Sequence, residues 1–321
     1  MTHPGDTPAL EVDINSSLVA QLVAAQFPQW AELPVEPVEL GGWDNRTFRL
    51  GSEMSVRLPS AERYAQKVER EQSWLPVLAP SLPFPIPVPL AMGIPGNGYP
   101  WNWSVYRWLE GENATLESVD DLSQFATSLG QFLVALQKIE PLDGTAPGAH
   151  NFFRGGPLTT YDAETRDAIL ALQGKIETNA VTAVWETALD ASWHGTPVWL
   201  HGDVAPSNIL VNDRQLSAVI DFGGSGFGDP ACDLTIAWTF FFGASRAAFR
   251  SAISLDDATW ARARGWAMWK ALIILAEHID SNPTKAESAR RTIQEVLADH
   301  AVAVGQGLTD RSAAALRSKG G

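Results

Sequence analysis

Apolar positions in the first third of the chain alternate between helical and strand-like spacing. Residues 18–27 carry apolar side chains at helical intervals after the serine pair 16–17, either of which can cap a helix. Residues 38–50 predict two strands around a Gly-Gly turn, and residues 54–58 predict a third strand. Prolines 34 and 37 indicate a linker that precedes these strands. A small antiparallel sheet is therefore expected.

One helix and two extended segments complete this region. Helical spacing predicts a helix over residues 64–78, and alternating prolines over 80–89 favour an extended link. The apolar residues 103–109 predict a further strand. We expect an N-terminal lobe of residues 1–109, ending in a hinge near residues 107–111.

Beyond residue 110 the spacing of apolar residues is helical nearly throughout. Helices are predicted over residues 122–136, 160–189 with a break near Gly174, 234–242, from Trp260 to about residue 280, and 286–304 before a polar tail. Asp120 or Asp121 is expected to cap the first of these helices, and the pair 256–257 to cap the fourth. The pattern predicts an α+β chain whose C-terminal lobe, residues 110–321, is mainly helical.

Composition narrows the class of protein. A net charge of −14 makes nucleic acid an unexpected partner, because phosphate backbones require a basic surface. The single cysteine, Cys232, excludes an internal disulfide and a cysteine-based zinc site. The sequence shows no signal-peptide pattern at its start and no apolar run of membrane-spanning length. We expect a cytoplasmic protein with no membrane partner; its oligomeric state is open.

Two polar loops carry the candidate chemistry. Asp203 and Asn208 lie in a loop between apolar segments, and Asp221 ends the next apolar segment in an Asp-Phe-Gly sequence. One carboxylate can accept a proton, and two further oxygen donors can hold a hard cation. These are the groups that phosphoryl transfer from a nucleotide requires.

The spacing of these loops resembles a known family. His-Gly-Asp at 201–203, Asn208 five residues after the aspartate, Asp-Phe-Gly at 221–223 and Gly-Asp-Pro-x-x-Asp-Leu at 228–234 resemble the aminoglycoside phosphotransferase family, small-molecule kinases with macrolide and choline kinase relatives. The resemblance implies a two-lobed protein-kinase-like fold and transfer of a nucleotide γ-phosphate to a hydroxyl. Asp203 is then the base, Asn208 and Asp221 hold Mg²⁺, and His201 orients the loop. Asp233 is expected to anchor that loop through hydrogen bonds.

The same resemblance assigns nucleotide-binding positions in the first lobe. The third strand carries Arg57 where protein kinases have lysine, and its partner carboxylate is expected at Glu71, with Glu69 as the alternative. Lys67 is a rival cation, expected to face solvent. Further positions are the glycine pair Gly41 and Gly42, whose amides can approach phosphate, and the backbone near Arg107 and Leu109, which would pair with the base of ATP or GTP.

The sequence leaves the identity of the acceptor open. A polycationic aminoglycoside would be favoured by the net acidity and by carboxylates, and a macrolide by aromatic walls. The candidate residues are Asp256, Asp257, Glu277 and Asp280 for the first, and Trp266 and Trp269 for the second. An ordinary metabolite is equally compatible, so antibiotic resistance is not implied by the motif alone.

Two other classes of function remain. A metal-dependent hydrolase would use His201, Asp203, Asp221 and Asp229. A catalytically silent kinase-fold protein would only bind nucleotide. The asparagine five residues after Asp203 and the N-terminal sheet argue against the hydrolase, and the intact set of Asp203, Asn208 and Asp221 argues against the silent protein.

Overall fold

The computed structural model describes residues 12–38, 44–140 and 146–318, with side chains described as far as residue 305. The chain divides into two compact units. The first contains the residues up to Glu112 together with 210–213 and 217–223, and the second contains the remainder.

The first unit is built on an antiparallel sheet of five strands. Its elements are α1 (Ser16–Gln26), β1 (Val35–Pro37), β2 (Asn45–Leu50), β3 (Met54–Pro59), α2 (Glu62–Leu78), β4 (Pro89–Gly93) and β5 (Trp103–Arg107). The strands lie in the order β1-β2-β3-β5-β4. The register places Arg57 of β3 opposite Thr47 on one side and Ser104 on the other. Arg57 therefore lies in the centre of the sheet.

Helix α1 and one face of the sheet enclose the apolar core of this unit. The fully buried members of this core are Val19, Leu22, Val23, Phe48, Leu50, Val56, Leu58, Tyr99, Trp103 and Val105. Helix α1 begins after Asn15, whose side chain accepts a hydrogen bond from the Leu18 amide at 3.0 Å. The predicted helix is confirmed, but the expectation of a serine cap was wrong.

Two further details of the first unit differ from the sequence-based expectations. Residues 35–37 were expected as a linker, yet they form edge strand β1, where a proline is tolerated because an edge strand leaves one side unpaired. The segment 80–89 begins with a short 3₁₀ turn at Ala79–Ser81 before it becomes extended. The predicted strands at β3 and β5 and the helix at α2 are confirmed.

The second unit is mainly helical. The elements after the first sheet are β6 (Glu112–Asn113), α3 (Leu122–Gln137), α4 (Asp162–Ala171), α5 (Thr178–Asp190), β7 (Val198–Leu200), β8 (Ile209–Asn212), β9 (Gln215–Val219), β10 (Gly226–Gly228), α6 (Ile236–Thr239), α7 (Gly243–Ile253), α8 (Asp257–His278) and α9 (Pro283–Ser318). Strands β7 and β10 pair antiparallel, with Leu200 opposite Gly226. Strands β8 and β9 pair with each other, and most of their residues belong to the first unit.

Helix α8 is the central helix of this unit. Every residue from Thr259 to Trp269 is buried, and α8 packs against α5 on one side and α9 on another. Its N-terminus is capped by Asp256, which accepts a hydrogen bond from the Thr259 amide at 2.7 Å, as the sequence predicted. Helix α9 extends well beyond the predicted end of the amphipathic segment, so the expected tail was wrong.

The fold class predicted from the sequence, an N-terminal antiparallel sheet followed by a mainly helical region, is confirmed. Among the described residues, none of the helices combines the length and the apolar character that a membrane span requires.

Candidate active site

In the first unit, Arg57 lies in a cluster of charged side chains. Its guanidinium Nη1 is 3.8 Å from Oε2 of Glu71, and its Nη2 is 3.6 Å from Oδ1 of Asp221. The Tyr106 hydroxyl donates a hydrogen bond to Glu71 Oε2 at 2.5 Å, and the Arg57 guanidinium lies 5.8 Å from the centre of the Tyr106 ring. Burial lowers the pKa of Arg57, but the two carboxylates outweigh it and raise the pKa above its ordinary value. The structure thus brings together Arg57 and Glu71, which the resemblance assigns to the nucleotide, and Asp221, which it assigns to Mg²⁺.

Glu69, the alternative partner for Arg57, lies elsewhere. Its Oε1 accepts a hydrogen bond from Asn102 at 3.0 Å on the exposed side of helix α2. Glu71 is buried, and its contact with Tyr106 keeps it oriented. Of the two candidate carboxylates, Glu71 is therefore the one that pairs with Arg57.

Lys67 is a second cation in this cluster. It is buried and forms an ion pair with Asp44, the first described residue after the Gly-Gly segment. A Cβ atom placed on Gly223 would lie 3.4 Å from Lys67 Nζ and 3.4 Å from Asp221 Oδ1, so the ammonium group lies beside the Asp-Phe-Gly turn. The expectation that Lys67 faces solvent was wrong. Lys67 and Glu71 are four residues apart on α2 and so share one helix face, a signal that the sequence contained.

The structure shows fewer contacts for the four other predicted nucleotide positions. Gly41 and Gly42 lie outside the described residues. Arg107 is the last residue of β5, and its amide donates to the Val88 carbonyl at 3.3 Å, so that amide is used within the sheet. Leu109 is half-buried just beyond the strand.

Asp221 has an unusual backbone conformation. Its φ of 64° lies in the left-handed region, which aspartate tolerates better than most residues because its short side chain can hydrogen-bond locally. The side chain is 43% exposed. Besides its contact with Arg57, Asp221 thus has carboxylate surface open to a ligand.

In the second unit, Asp203 and Asn208 are linked directly. The Asn208 amide nitrogen donates to the Asp203 main-chain oxygen at 2.9 Å and to Asp203 Oδ2 at 3.1 Å. This orientation turns the amide oxygen of Asn208 away from the Asp203 carboxylate. A short 3₁₀ turn at Pro206–Asn208 sets the spacing between the two residues.

A buried carboxylate holds the loop that carries Asp203. Asp233 accepts hydrogen bonds from the amides of His201 and Gly202, both at 2.7 Å, which confirms the expected anchoring. His201 is fully buried, and its Nδ1 accepts a hydrogen bond from the Asp203 amide at 3.2 Å. These contacts place His201 in a positioning role for the loop.

The backbone at residue 202 explains why this loop has glycine where protein kinases have arginine. Its φ is +83°, and a Cβ atom at this position would lie 2.1 Å from the main-chain oxygen of Gly224. No side chain fits there without movement of the backbone. The His-Gly-Asp sequence is thus a requirement of the close approach between two loops.

Lys270 is a contact of Asp203 that the sequence reasoning missed. It is the first exposed residue after the buried stretch of α8, and its Nζ donates to Asp203 Oδ1 at 3.3 Å. The two residues are separated by 67 positions along the chain, and no local pattern connects them. Only the packing of α8 beside the loop brings them together.

Arg154 is the second cation that the sequence reasoning did not select. Its guanidinium lies over the rings of Trp266 and Trp269, at 5.2 Å and 5.3 Å from their centres. Tyr161 stacks on Trp269 with ring centres 3.9 Å apart. Trp266 is 1% exposed and Trp269 is 8% exposed, so they offer little surface for an acceptor wall and instead hold Arg154.

These cations determine the protonation state of Asp203. Burial raises its pKa, but the positive charges of Lys270 and Arg154, the electrostatic interaction with His201 and the hydrogen bond from Lys270 outweigh that effect. The pKa of Asp203 therefore lies below its ordinary value, and the carboxylate is ionised at neutral pH.

The other acidic candidates have different roles. Asp229 forms a buried ion pair with Arg262, with contacts of 2.6 Å and 3.1 Å, so it is not available to a metal ion. Asp256 caps α8, and Asp257 pairs with Arg250. Within the described part of the chain, no group of three or more histidine, cysteine, aspartate or glutamate residues is arranged to hold a metal. The ion pair with Arg262 thus engages Asp229, one of the four residues that the hydrolase alternative would use.

Comparison with known proteins adds to this geometry. A family model described as the phosphotransferase enzyme family, APH, matches residues 35–266, well over half of the chain. A search of the curated proteins found no match to the sequence.

Among solved structures, the fold is similar to aminoglycoside and macrolide phosphotransferases. The GDP complex of an aminoglycoside 2'-phosphotransferase has 17% identity and a TM-score of 0.64, covering 89% of this chain and 100% of that one. A GDP and kanamycin complex of an aminoglycoside phosphotransferase has 18% identity and a TM-score of 0.65, covering 88% and 98%. A macrolide 2'-phosphotransferase from Brachybacterium faecium has 20% identity and a TM-score of 0.55, covering 87% and 98%. At these identities the likeness concerns the fold.

Proposed function

Because the chain belongs to the phosphotransferase enzyme family, we propose that it transfers the γ-phosphate of a nucleoside triphosphate to a hydroxyl of a small molecule with Asp203 as the base. The family membership makes the chain a small-molecule kinase with an alcohol group as acceptor and confirms the resemblance drawn from residues 201–234. The assignment of individual residues is the proposal.

The observation that carries this proposal is the Asp203–Asn208 pair. The loop is held by Asp233 and by the Gly202 turn, so the Asp203 carboxylate is fixed and ionised. A substrate hydroxyl attacks the γ-phosphorus while the bond to the bridging β-phosphate oxygen breaks. The hydroxyl proton passes to Asp203 late in this step, and the nucleoside diphosphate leaves. A base with a low pKa is sufficient when proton transfer is late.

Asn208 and Asp221 are the proposed oxygen donors for Mg²⁺. Asn208 presents its amide oxygen away from Asp203, and Asp221 has an exposed carboxylate, so both fit the preference of a hard cation for oxygen. Bound Mg²⁺ would neutralise charge on the transferred phosphoryl group.

The nucleotide is proposed to bind the first unit. Arg57, oriented by Glu71, and Lys67 supply two positive charges for its phosphates, and Gly41 and Gly42 supply amides. The backbone near Arg107 and Leu109 would contact the base. Related folds have been solved with GDP, ADP or ATP, so either ATP or GTP is a reasonable donor to test.

The acceptor is proposed to be a small molecule bound by the second unit. Solved relatives of the fold contain kanamycin, streptomycin or gentamicin, which are aminoglycosides, and others are macrolide phosphotransferases. An antibiotic acceptor would make this chain a resistance enzyme.

The test is the substitution Asp203→Asn, with nucleotide turnover and product mass measured for the same samples. We expect phosphoryl transfer to fall by about three orders of magnitude or more, since the base and its charge are both lost. Nucleotide affinity should stay within a few-fold. Asp167→Asn, an exposed aspartate on α4, serves as the matched control and should retain wild-type rates. A wild-type rate in Asp203→Asn would remove Asp203 from the role of base, and nucleotide-independent hydrolysis would favour the hydrolase alternative.

A further inference from the structure

Lys270 occupies an exceptional position on helix α8. Every residue from Thr259 to Trp269 is buried, and Lys270 is the point where the helix reaches the surface beside the base. Its ammonium lies 3.3 Å from Asp203 Oδ1, yet 48% of its side chain is exposed. An ammonium group that is exposed to solvent and lies next to the base can contact an acceptor molecule that is bound at the base.

Arg154 supplies a second positive charge near the same carboxylate. Two indole rings fix its guanidinium, and its charge reaches Asp203. In the described part of the chain, no carboxylate forms an ion pair with Arg154. A planar guanidinium without such an ion pair keeps N–H donors that are suited to a carboxylate or a phosphate of a ligand.

Three other carboxylates in this region have partners of their own. Asp233 is held by the amides under the loop, Asp229 is neutralised by Arg262, and Glu164 accepts a hydrogen bond from the Trp269 indole at 2.8 Å. Glu277 lies seven residues beyond Lys270 on α8, about 10 Å along the helix axis. Lys270 and Arg154 therefore both act on Asp203, and the charge of Arg154 also acts on Asp233, whose carboxylate is fully buried and out of reach of an acceptor.

We propose that the acceptor carries an anionic oxygen group, a carboxylate or a phosphate, which Lys270 and Arg154 bind while the reacting hydroxyl contacts Asp203. This inference rests on the kinase function proposed above and names its substrate class. The acceptor anion takes Lys270 from Asp203, and Asp203 Oδ1 then accepts the hydroxyl hydrogen. A polycation such as kanamycin lacks the group that would draw Lys270 away, and both cations repel it.

The first experiment leaves the acceptor unspecified. A bacterial metabolite extract is divided on ion-exchange resins into cationic, neutral and anionic fractions, and each is incubated with the full chain, Mg²⁺ and γ-labelled ATP or GTP. We expect Asp203-dependent label transfer in the anionic fraction. The labelled product, identified by mass, shows whether the group is a carboxylate or a phosphate. Label confined to the cationic or neutral fraction would overturn the inference and leave the kinase function intact. No transfer and no nucleotide turnover in any fraction would defeat the proposed function itself, and this inference with it.

Charge variants then test the two cations with the acceptor so found. Lys270→Gln should raise the acceptor KM by about tenfold or more, the loss typical of a hydrogen bond to a charged group, and Lys270→Arg should restore most of it. Arg154→Gln, compared with Arg154→Lys, repeats the test on a different element. Lys175→Gln, an exposed lysine between α4 and α5, is the control that keeps wild-type kinetics. An unchanged acceptor KM in both glutamine variants would contradict the proposal.

Discussion

Replacement of Gly202 by alanine tests how the catalytic loop is held. The substitution adds a Cβ atom at a residue with φ of +83° and places it 2.1 Å from the Gly224 carbonyl oxygen. The left-handed conformation alone costs an alanine about 1–2 kcal/mol. The contact is more than 1 Å too short for van der Waals packing, and both partners are main chain, so the two loops must separate.

Separation of the loops has a second cost. The amides of His201 and Gly202 donate to Asp233 at 2.7 Å, and a shift of about 1 Å lengthens both bonds beyond useful range. Hydrogen bonds to a charged group contribute about 1.5–3 kcal/mol each. If one of them is lost in addition to the strain, Gly202→Ala should lower the free energy of unfolding by about 3–5 kcal/mol. It should also lower kcat strongly, because Asp203 moves with the loop.

Gly174→Ala provides the matched control. Gly174 has a similar φ of +77° in the same unit, but nothing lies within 4 Å of an added Cβ atom. It should show only the conformational cost of about 1–2 kcal/mol, with normal activity. The assay is urea unfolding with the slope compared between variants, alongside kcat for phosphoryl transfer. Equal destabilisation of the two variants would refute the reasoning, because it would mean that the Gly224 contact has no energetic consequence.

Two further substitutions test charged groups outside the loop. Asp229→Asn should lower the free energy of unfolding in urea by about 3–5 kcal/mol, because it leaves Arg262 buried without its counter-charge. The control is Asp120→Asn, which removes an exposed ion pair and should cost under about 1 kcal/mol. Equal costs for the two variants would contradict this account. Asp256→Ala should cost about 1 kcal/mol at neutral pH through loss of the α8 cap. Hydrogen bonds from the Thr259 hydroxyl and amide lower the pKa of Asp256, so its contribution is present above the unfolded pKa near 4 and is lost as the pH falls through the folded value. The difference between wild type and Asp256→Ala should therefore shrink in acid, and a constant difference would argue against an ionised cap.

The residues that sequence reasoning located are those whose relation is local. Asp203 and Asn208 are joined by one short turn, and the spacing of five residues is itself the signal. The cap at Asp256 was likewise readable from a polar residue before an apolar helix. The Arg57–Glu71 contact was also anticipated, although it joins a strand and a helix, because the resemblance supplied it.

The residues that were missed depend on packing between distant elements. Lys270 meets Asp203 only because the buried stretch of α8 positions its first exposed residue beside the loop. Arg154 was not selected, since nothing in the sequence shows that two tryptophans more than 100 positions later hold it. Lys67 was expected to face solvent, as lysines usually do. Its four-residue spacing from Glu71, which puts both side chains on one face of the helix, was a local signal to the contrary.

The net charge of the chain and the two cations near Asp203 are compatible with different acceptors. A net charge of −14 fits a cationic acceptor, whereas Lys270 contacts Asp203 and the charge of Arg154 reaches it. Charges separated by more than about 8–10 Å are largely screened at physiological salt, so the two nearby cations should outweigh distant surface carboxylates in selecting the acceptor. The acidic surface would then slow the approach of an anionic acceptor without changing which acceptor is bound. Added salt should therefore raise the association rate of such an acceptor while the preference among fractions stays the same, and a reversal of preference at high salt would show that the overall charge, not the pair of cations, determines specificity.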